Sequence, residues 1–227
     1  MRLKTTVVFL TLSLVCMISR VSYADTLTLT GYGGQSTDGF YINPYIFTIT
    51  GPGGTSNLID MSCLNFNREV SQGQSWSANP VYVSSITTSS ANIDGETATA
   101  IIADAYLYNL YGNPSYSISD IQFAIWSIMD PTDVKVVNGV PTYSGFDQVA
   151  QGLAQTALGV ATGPNLNYSQ FANDVVFVPT VYTGGEPQLF MTNPPPSSLT
   201  PEPTSLILLG TGLLGAVGLM RRKLATA

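Results

Sequence analysis

Thr97-Ala98-Thr99-Ala100-Ile101-Ile102-Ala103-Asp104-Ala105-Tyr106-Leu107-Tyr108-Asn109-Leu110-Tyr111 is the stretch where the chain changes its period. Ala98, Ile101, Ile102, Ala105, Leu107 and Leu110 fall on helical spacing, and Gly112 with Asn113-Pro114 supplies the stop. Upstream the pattern is strand-like. Thr26-Leu27-Thr28-Leu29-Thr30 alternates polar and apolar, and Tyr45-Ile46-Phe47-Thr48-Ile49-Thr50 does the same before Gly51-Pro52-Gly53-Gly54 turns the chain. Leu58 to Phe66 reads as a third strand and carries Cys63, Val70 to Trp76 as a turn around Gly73, and Tyr82 to Ile86 as a fourth strand. Downstream, a second helix is expected through Met129, capped by Ser119 or Asp120 and ended by Asp130-Pro131. A third is expected from Phe146 to Leu158, capped by Ser144 and stopped near Gly159, before strands return at Val175–Val178 and Gln188–Met191. Strands, one block of helices, then strands predict an α+β fold: a β-sandwich or open barrel with a three-helix insertion.

Composition narrows the chemistry. Thirteen of the fourteen acidic residues lie between residues 25 and 200, against only Arg68 and Lys135 of the eight basic ones. That balance excludes nucleic acid as a partner and argues against binding to an anionic membrane surface. There is no histidine, which removes Ser-His-Asp triads, Cys-His pairs and nearly all catalytic zinc sites. A hydrolase would have to run on carboxylates alone. Asp130-Pro131-Thr132-Asp133 and Asp94-Gly95-Glu96 lack the ligand spacing of a calcium loop and read as turns. Tyr108 and Tyr111 lie one helical turn apart, a spacing that fits core packing better than sugar stacking. No catalytic residue, metal or cofactor is expected, and the chain is not read as an enzyme.

Both ends carry addressing signals. Arg2 and Lys4 precede an apolar run from Thr5 to Ile18, and Ser22-Tyr23-Ala24 places small residues before a cut between Ala24 and Asp25. Residues 1–24 therefore read as a secretory signal peptide that takes Cys16 with it, leaving Cys63 as the one thiol of an ectodomain at 25–192. A Pro-rich spacer follows at 193–200. The tail at 201–227 begins Pro201-Glu202-Pro203, continues as an apolar run of roughly 17 residues at about 204–220, and ends on Arg221, Arg222 and Lys223. Such a run is near the short limit for a transmembrane helix, and the basic cluster keeps its end cytoplasmic.

This order of parts resembles the PEP-CTERM sorting tail of exported bacterial proteins. The resemblance implies recognition by an exosortase, a membrane protease. The protein would be anchored transiently in the inner membrane and then released to the cell surface or the extracellular matrix, in bacteria that make exopolysaccharide and biofilm. In the ectodomain, Gln122-Phe123-Ala124-Ile125-Trp126 on a helix, with a single cysteine on an earlier strand, resembles the thioester (TQxA-type) domains of bacterial surface adhesins over roughly residues 45 to 130. Ile121 departs from the Thr that those domains often carry. The resemblance implies an internal thioester between Cys63 and Gln122, a stored acylating group for an amine or hydroxyl on a surface ligand. Phe66, Tyr106, Phe123 and Trp126 are the aromatic residues that would keep water from it. Read from the residues alone, Cys63 is equally a small buried hydrophobe in a non-catalytic component of the exopolysaccharide matrix. A carboxylate-only polysaccharide hydrolase is the remaining alternative.

Overall fold

The computed structural model describes residues 24–51, 54, 56–87 and 92–193. Six strands form a closed antiparallel barrel in the order β1 (Asp25–Tyr32), β4 (Tyr45–Thr50), β5 (Ser56–Cys63), β10 (Phe190–Thr192), β9 (Val175–Val181) and β6 (Ser75–Tyr82), with β6 returning to β1. The expected sandwich or open barrel is therefore replaced by a closed one. The physical reason is β10, only three residues long, which pairs with both β5 and β9 and removes the two edges an open sheet would leave.

The period-two pattern places the core. Leu27 and Leu29 of β1 and Tyr45, Phe47 and Ile49 of β4 point inward, and the intervening threonines face out or are half-buried. Phe47 meets Phe190 at 4.6 Å and Trp76 at 5.6 Å between ring centroids, which fills the barrel from three strands. Trp76 was expected in a turn; it lies in β6, because pairing with β1 and β9 on either side overrides the weak strand propensity of Asn79 and Pro80. The strand expected at Tyr82–Ile86 is instead the end of β6 and a 3-10 turn at Val83–Ser85. Gly73 has a φ of 86°, the left-handed turn that returns the chain to β1. Two small hairpins went unread in the sequence: β2 (Ser36–Thr37) with β3 (Phe40–Tyr41), and β7 (Val136–Val137) with β8 (Val140–Pro141).

The three α-helices among the described residues are inserted between β6 and β9, which are neighbours in the barrel. Helix α1 (Ala98–Tyr108) is capped by Thr97 and buries eight of its eleven residues, half of them alanine, so helices pack on it closely. Helix α2 (Ile118–Met129) is capped by Ser117, with Asp120 closing a capping box, rather than by Ser119 or Asp120. Helix α3 (Gln148–Thr162) is capped by Asp147, whose carboxylate accepts from Val149 and Ala150, and not by Ser144. Gly159 does not stop α3: buried Ala157 and Ala161 continue the packed face across it. Ser144 instead donates to Asp38, which also accepts from the Gly145 amide, and so ties the β2–β3 hairpin to the loop before α3.

No helix among the described residues is long and apolar enough to cross a membrane. The transmembrane helix expected at about 204–220, the sorting residues Pro201, Glu202, Pro203, Arg221, Arg222 and Lys223, and the signal peptide up to Tyr23 lie outside the described residues. Ala24 and Asp25 are described, and Asp25 opens β1.

Candidate functional site

The last three residues of β5 are buried on both faces, because the helical block covers the barrel wall there. Ser62 and Cys63 are therefore both fully buried, as is Gln122 in the second turn of α2. The fold brings the two sequence-expected residues together. Gln122 Nε2 donates to the Cys63 carbonyl at 2.7 Å. At the other end of the amide, Gln122 Oε1 accepts from Tyr111 Oη at 3.0 Å and from Ser62 Oγ at 3.2 Å. The amide is thus fixed in orientation, and its carbonyl is polarised by two hydroxyls. Neither hydroxyl was singled out for this in the sequence. Ser62 had only its place beside Cys63 as a signal. Tyr111 was read for its ring, which does stack edge-on with Tyr108 at 5.7 Å.

The Cys63 sulfur donates to the Asn65 carbonyl at 3.1 Å. Burial pushes its thiol far up, and nearby Asp130 and Asp104 add to this. The Trp126 indole N–H opposes the rise by lying near the sulfur, and it has no oxygen or nitrogen partner among the described residues. Asn65 is itself pinned. Its side chain accepts from the Leu189 amide and donates to Glu96, and its carbonyl also accepts from Gln188. The loop continues with Phe66, whose amide donates to Asp130, and Asn67, which donates to Asp130 and Asp133. Arg68 follows, paired with Asp94 and, at 3.6 Å, with Glu186. The acidic turns at 94–96 and 130–133 therefore spend their carboxylates on holding this loop.

Aromatic rings cover the site. Phe66, Phe123 and Trp126 pack with Phe40 and Tyr143 at centroid distances of 4.7 to 6.1 Å. Phe40 comes from the β2–β3 hairpin, so the Asp38 clasp to Ser144 and Gly145 also holds this cover in place. Gly145 is required here, since a Cβ would lie 2.4 Å from the Phe123 ring. Tyr106 is half-buried on α1 and is not one of these rings.

Comparison with known proteins separates the address from the fold. The chain carries a PEP-CTERM protein-sorting motif at residues 199–223. Such a motif marks an exported, extracellular protein held by a C-terminal membrane anchor until an exosortase processes it. No curated protein matches the chain. Among solved structures, the chain is similar to the N-terminal thioester domain of the fibronectin-binding protein SfbI from Streptococcus pyogenes. The identity is 14%, covering 78% of this chain and 97% of that one, with a TM-score of 0.36. The N-terminal domain of the Streptococcus pyogenes pilus tip adhesin Cpa is 16% identical over 78% of this chain and 96% of that one, with a TM-score of 0.36. The N-terminal thioester domain of a protein F2 like fibronectin-binding protein from Streptococcus pneumoniae is 12% identical over 75% and 91%, with a TM-score of 0.41.

Several carboxyls around the site and its helices keep their protons unusually well. Burial raises Asp174 to about 6, partly offset by a hydrogen bond from Asn109. Burial also raises Glu96 and Asp25, and raises Asp104 well above the usual range. Each folded pKa lies above its unfolded value, so each contribution to stability is complete below about pH 4 and is lost as pH rises through the folded pKa. The loss from Asp174 is complete just above pH 6. Asp38 and Asp133, held low by their hydrogen-bond donors, act in the opposite sense only at more acid pH. The thermal midpoint is expected to fall between pH 4 and pH 7, with Asp174 contributing at most about 3 kcal/mol. Asp174→Asn should flatten the slope between pH 4 and 6. A midpoint that rises with pH over that range would refute this assignment.

Proposed function

We propose that this exported surface protein attaches to its target covalently, through an internal thioester between Cys63 and Gln122. The observation that carries the reading is the grip on the Gln122 amide, with its nitrogen on the Cys63 carbonyl and its oxygen on Ser62 and Tyr111. An amide is a poor acyl donor and a buried thiol a poor nucleophile, so such a reaction depends on proximity and on stabilising charge at the carbonyl oxygen. A rigid strand and a buried helix supply the first, and the two hydroxyls supply the second. The sulfur must leave the Asn65 carbonyl and turn onto the Gln122 carbonyl carbon. The S–H and C–N bonds then break, the S–C bond forms, and ammonia leaves. The aromatic cover keeps water from the product, and an incoming amine or hydroxyl takes the acyl group and returns the thiol. The protein reacts once per molecule and does not turn over, which is why no conventional active site is needed.

The test is the mass of the protein with and without methylamine. A mass short by one ammonia, mapping to Cys63 and Gln122, absent in Cys63→Ala and converted by methylamine to a mass higher by one whole methylamine, is the expected result. A full mass with a thiol that alkylates only on unfolding would instead favour the non-catalytic matrix component, in which Cys63 is an inert core residue hydrogen-bonded to Asn65.

A further inference from the structure

The reacting residues are sealed inside the fold. Cys63 and Gln122 are both fully buried, so no amine or hydroxyl from outside reaches the Gln122 carbonyl while every element stays in place. Part of the cover must move aside before a target is captured. The covering rings differ in how firmly they are held. Phe123 and Trp126 belong to α2 and are themselves buried. Phe66 lies on the loop that Asp130 and Asp133 hold, with the Arg68 ion pairs just beyond it. Phe40 is half-buried and rides on a hairpin of only two residue pairs.

That hairpin has a fixed base and a lightly held tip. At the base, the Gly33 amide donates to the Pro44 carbonyl at 2.8 Å, Tyr45 Oη donates to the Tyr41 carbonyl at 2.8 Å, and the Tyr41 ring stacks on Tyr32 at 4.1 Å. The turn at Asp38-Gly39 has φ angles of 53° and 87°, the tight geometry that makes the two short strands one piece. At the tip, Phe40 touches Phe66 at 4.7 Å, Tyr143 at 5.5 Å and Trp126 at 6.1 Å. The polar hold on the tip is one carboxylate: Asp38 accepts from Ser144 Oγ at 2.5 Å and from the Gly145 amide at 2.9 Å. These donors keep the Asp38 carboxyl below its ordinary pKa, so the contact is made by an ionised acceptor at neutral pH. Asp38, Gly39 and Ser144 are all exposed, which leaves the contact within reach of an arriving target.

We propose that the β2–β3 hairpin is a lid over the Cys63–Gln122 site, latched by Asp38 on Ser144 and Gly145, and that target capture waits on its release. Opening lifts Phe40 off Phe66 and Trp126 and clears a way to the acyl carbon. Closed, the lid keeps water from the stored thioester. The lid adds no covalent step; it sets the fraction of molecules in which acyl transfer can begin. This inference rests on the thioester reading above.

The test follows methylamine capture by the whole protein, read as intact mass over time. Asp38→Gly removes the carboxylate but keeps a residue at ease at positive φ, and is expected to speed capture about 10-fold. Ser144→Ala leaves the hairpin unchanged and should speed capture by less, because the Gly145 amide still donates. Thr97→Ala loses the cap of α1 and weakens the fold away from the lid, so its capture rate should stay at the wild-type value. Capture by Asp38→Gly and Ser144→Ala at the wild-type rate overturns the lid and leaves the thioester standing. Equal acceleration in Thr97→Ala also overturns the lid, because entry would then follow overall stability. A wild-type protein with no ammonia deficit overturns the thioester and the lid with it.

Discussion

Gln122→Leu is expected to lower the stability of the ectodomain by about 6 kcal/mol and to abolish the ammonia deficit. Two separate losses make up that figure. The first is polar: the amide nitrogen has already left in the bonded protein, so Leu fills the space but leaves Ser62 and Tyr111 without the carbonyl oxygen they share as acceptor. Each unsatisfied buried group costs about 1–3 kcal/mol. Ser62 and Tyr111 lie 3.2 Å apart and can pair with each other, so about 2 kcal/mol is the net expectation. The second is covalent. A bond between residues 59 apart restricts the unfolded chain as a disulfide does, by about 4 kcal/mol on the loop-entropy relation. Denaturant unfolding in two backgrounds separates them. In Cys63→Ala, which has no bond to lose, Gln122→Leu should cost only the polar part. Equal costs in both backgrounds would mean that no bond staples β5 to α2.

Tyr111→Phe is expected to leave the fold nearly intact and to slow thioester closure by about 100- to 1,000-fold. The ring and its contact with Tyr108 remain, and Ser62 still donates to Gln122 Oε1, so the loss of stability should be near 1 kcal/mol. The rate suffers more, because the phenol's hydrogen bond strengthens as negative charge builds on the carbonyl oxygen. The ground state feels only the neutral carbonyl. Timed mass spectra after ammonium opening measure the rate, and a denaturant midpoint measures the stability. Closure slowed only in proportion to the lost stability would show that Tyr111 is a packing residue and not a stabiliser of the oxyanion. Burial already holds its phenol far above its ordinary pKa, so the hydroxyl remains a donor throughout the usable pH range.

What the sequence settled by itself rests on short-range physics. Alternation in residues 26–30 and 45–50 found β1 and β4, because a half-buried sheet repeats every two residues. The shift of period at Thr97 found α1, though the helix ends at Tyr108, and Gly112, with a φ of 87°, ends the turn that follows it. The Pro-Glu-Pro tail with its basic end was legible because sorting reads a linear motif. Cys63 and Gln122 were legible as residue types, a lone thiol and a helix glutamine.

Tertiary structure decided the rest. Whether the sheet closes depended on β10, whose three residues carry no pattern of their own and gain their place from the neighbours β5 and β9. Asn79 and Pro80 look wrong for a strand until two partner strands are present. The caps fell two or three residues from where the sequence put them, since Ser117 and Asp147 each compete with nearby polar residues and only packing selects the winner. The site itself lies across β5, α2 and the turn beyond α1. Ser62, Tyr111 and Gln122 are scattered over sixty residues, and a hydrogen bond leaves no trace in linear spacing. Nothing in a one-dimensional pattern shows that Asp104, on a helix that otherwise reads as core, has been buried with no hydrogen-bond partner among the described residues.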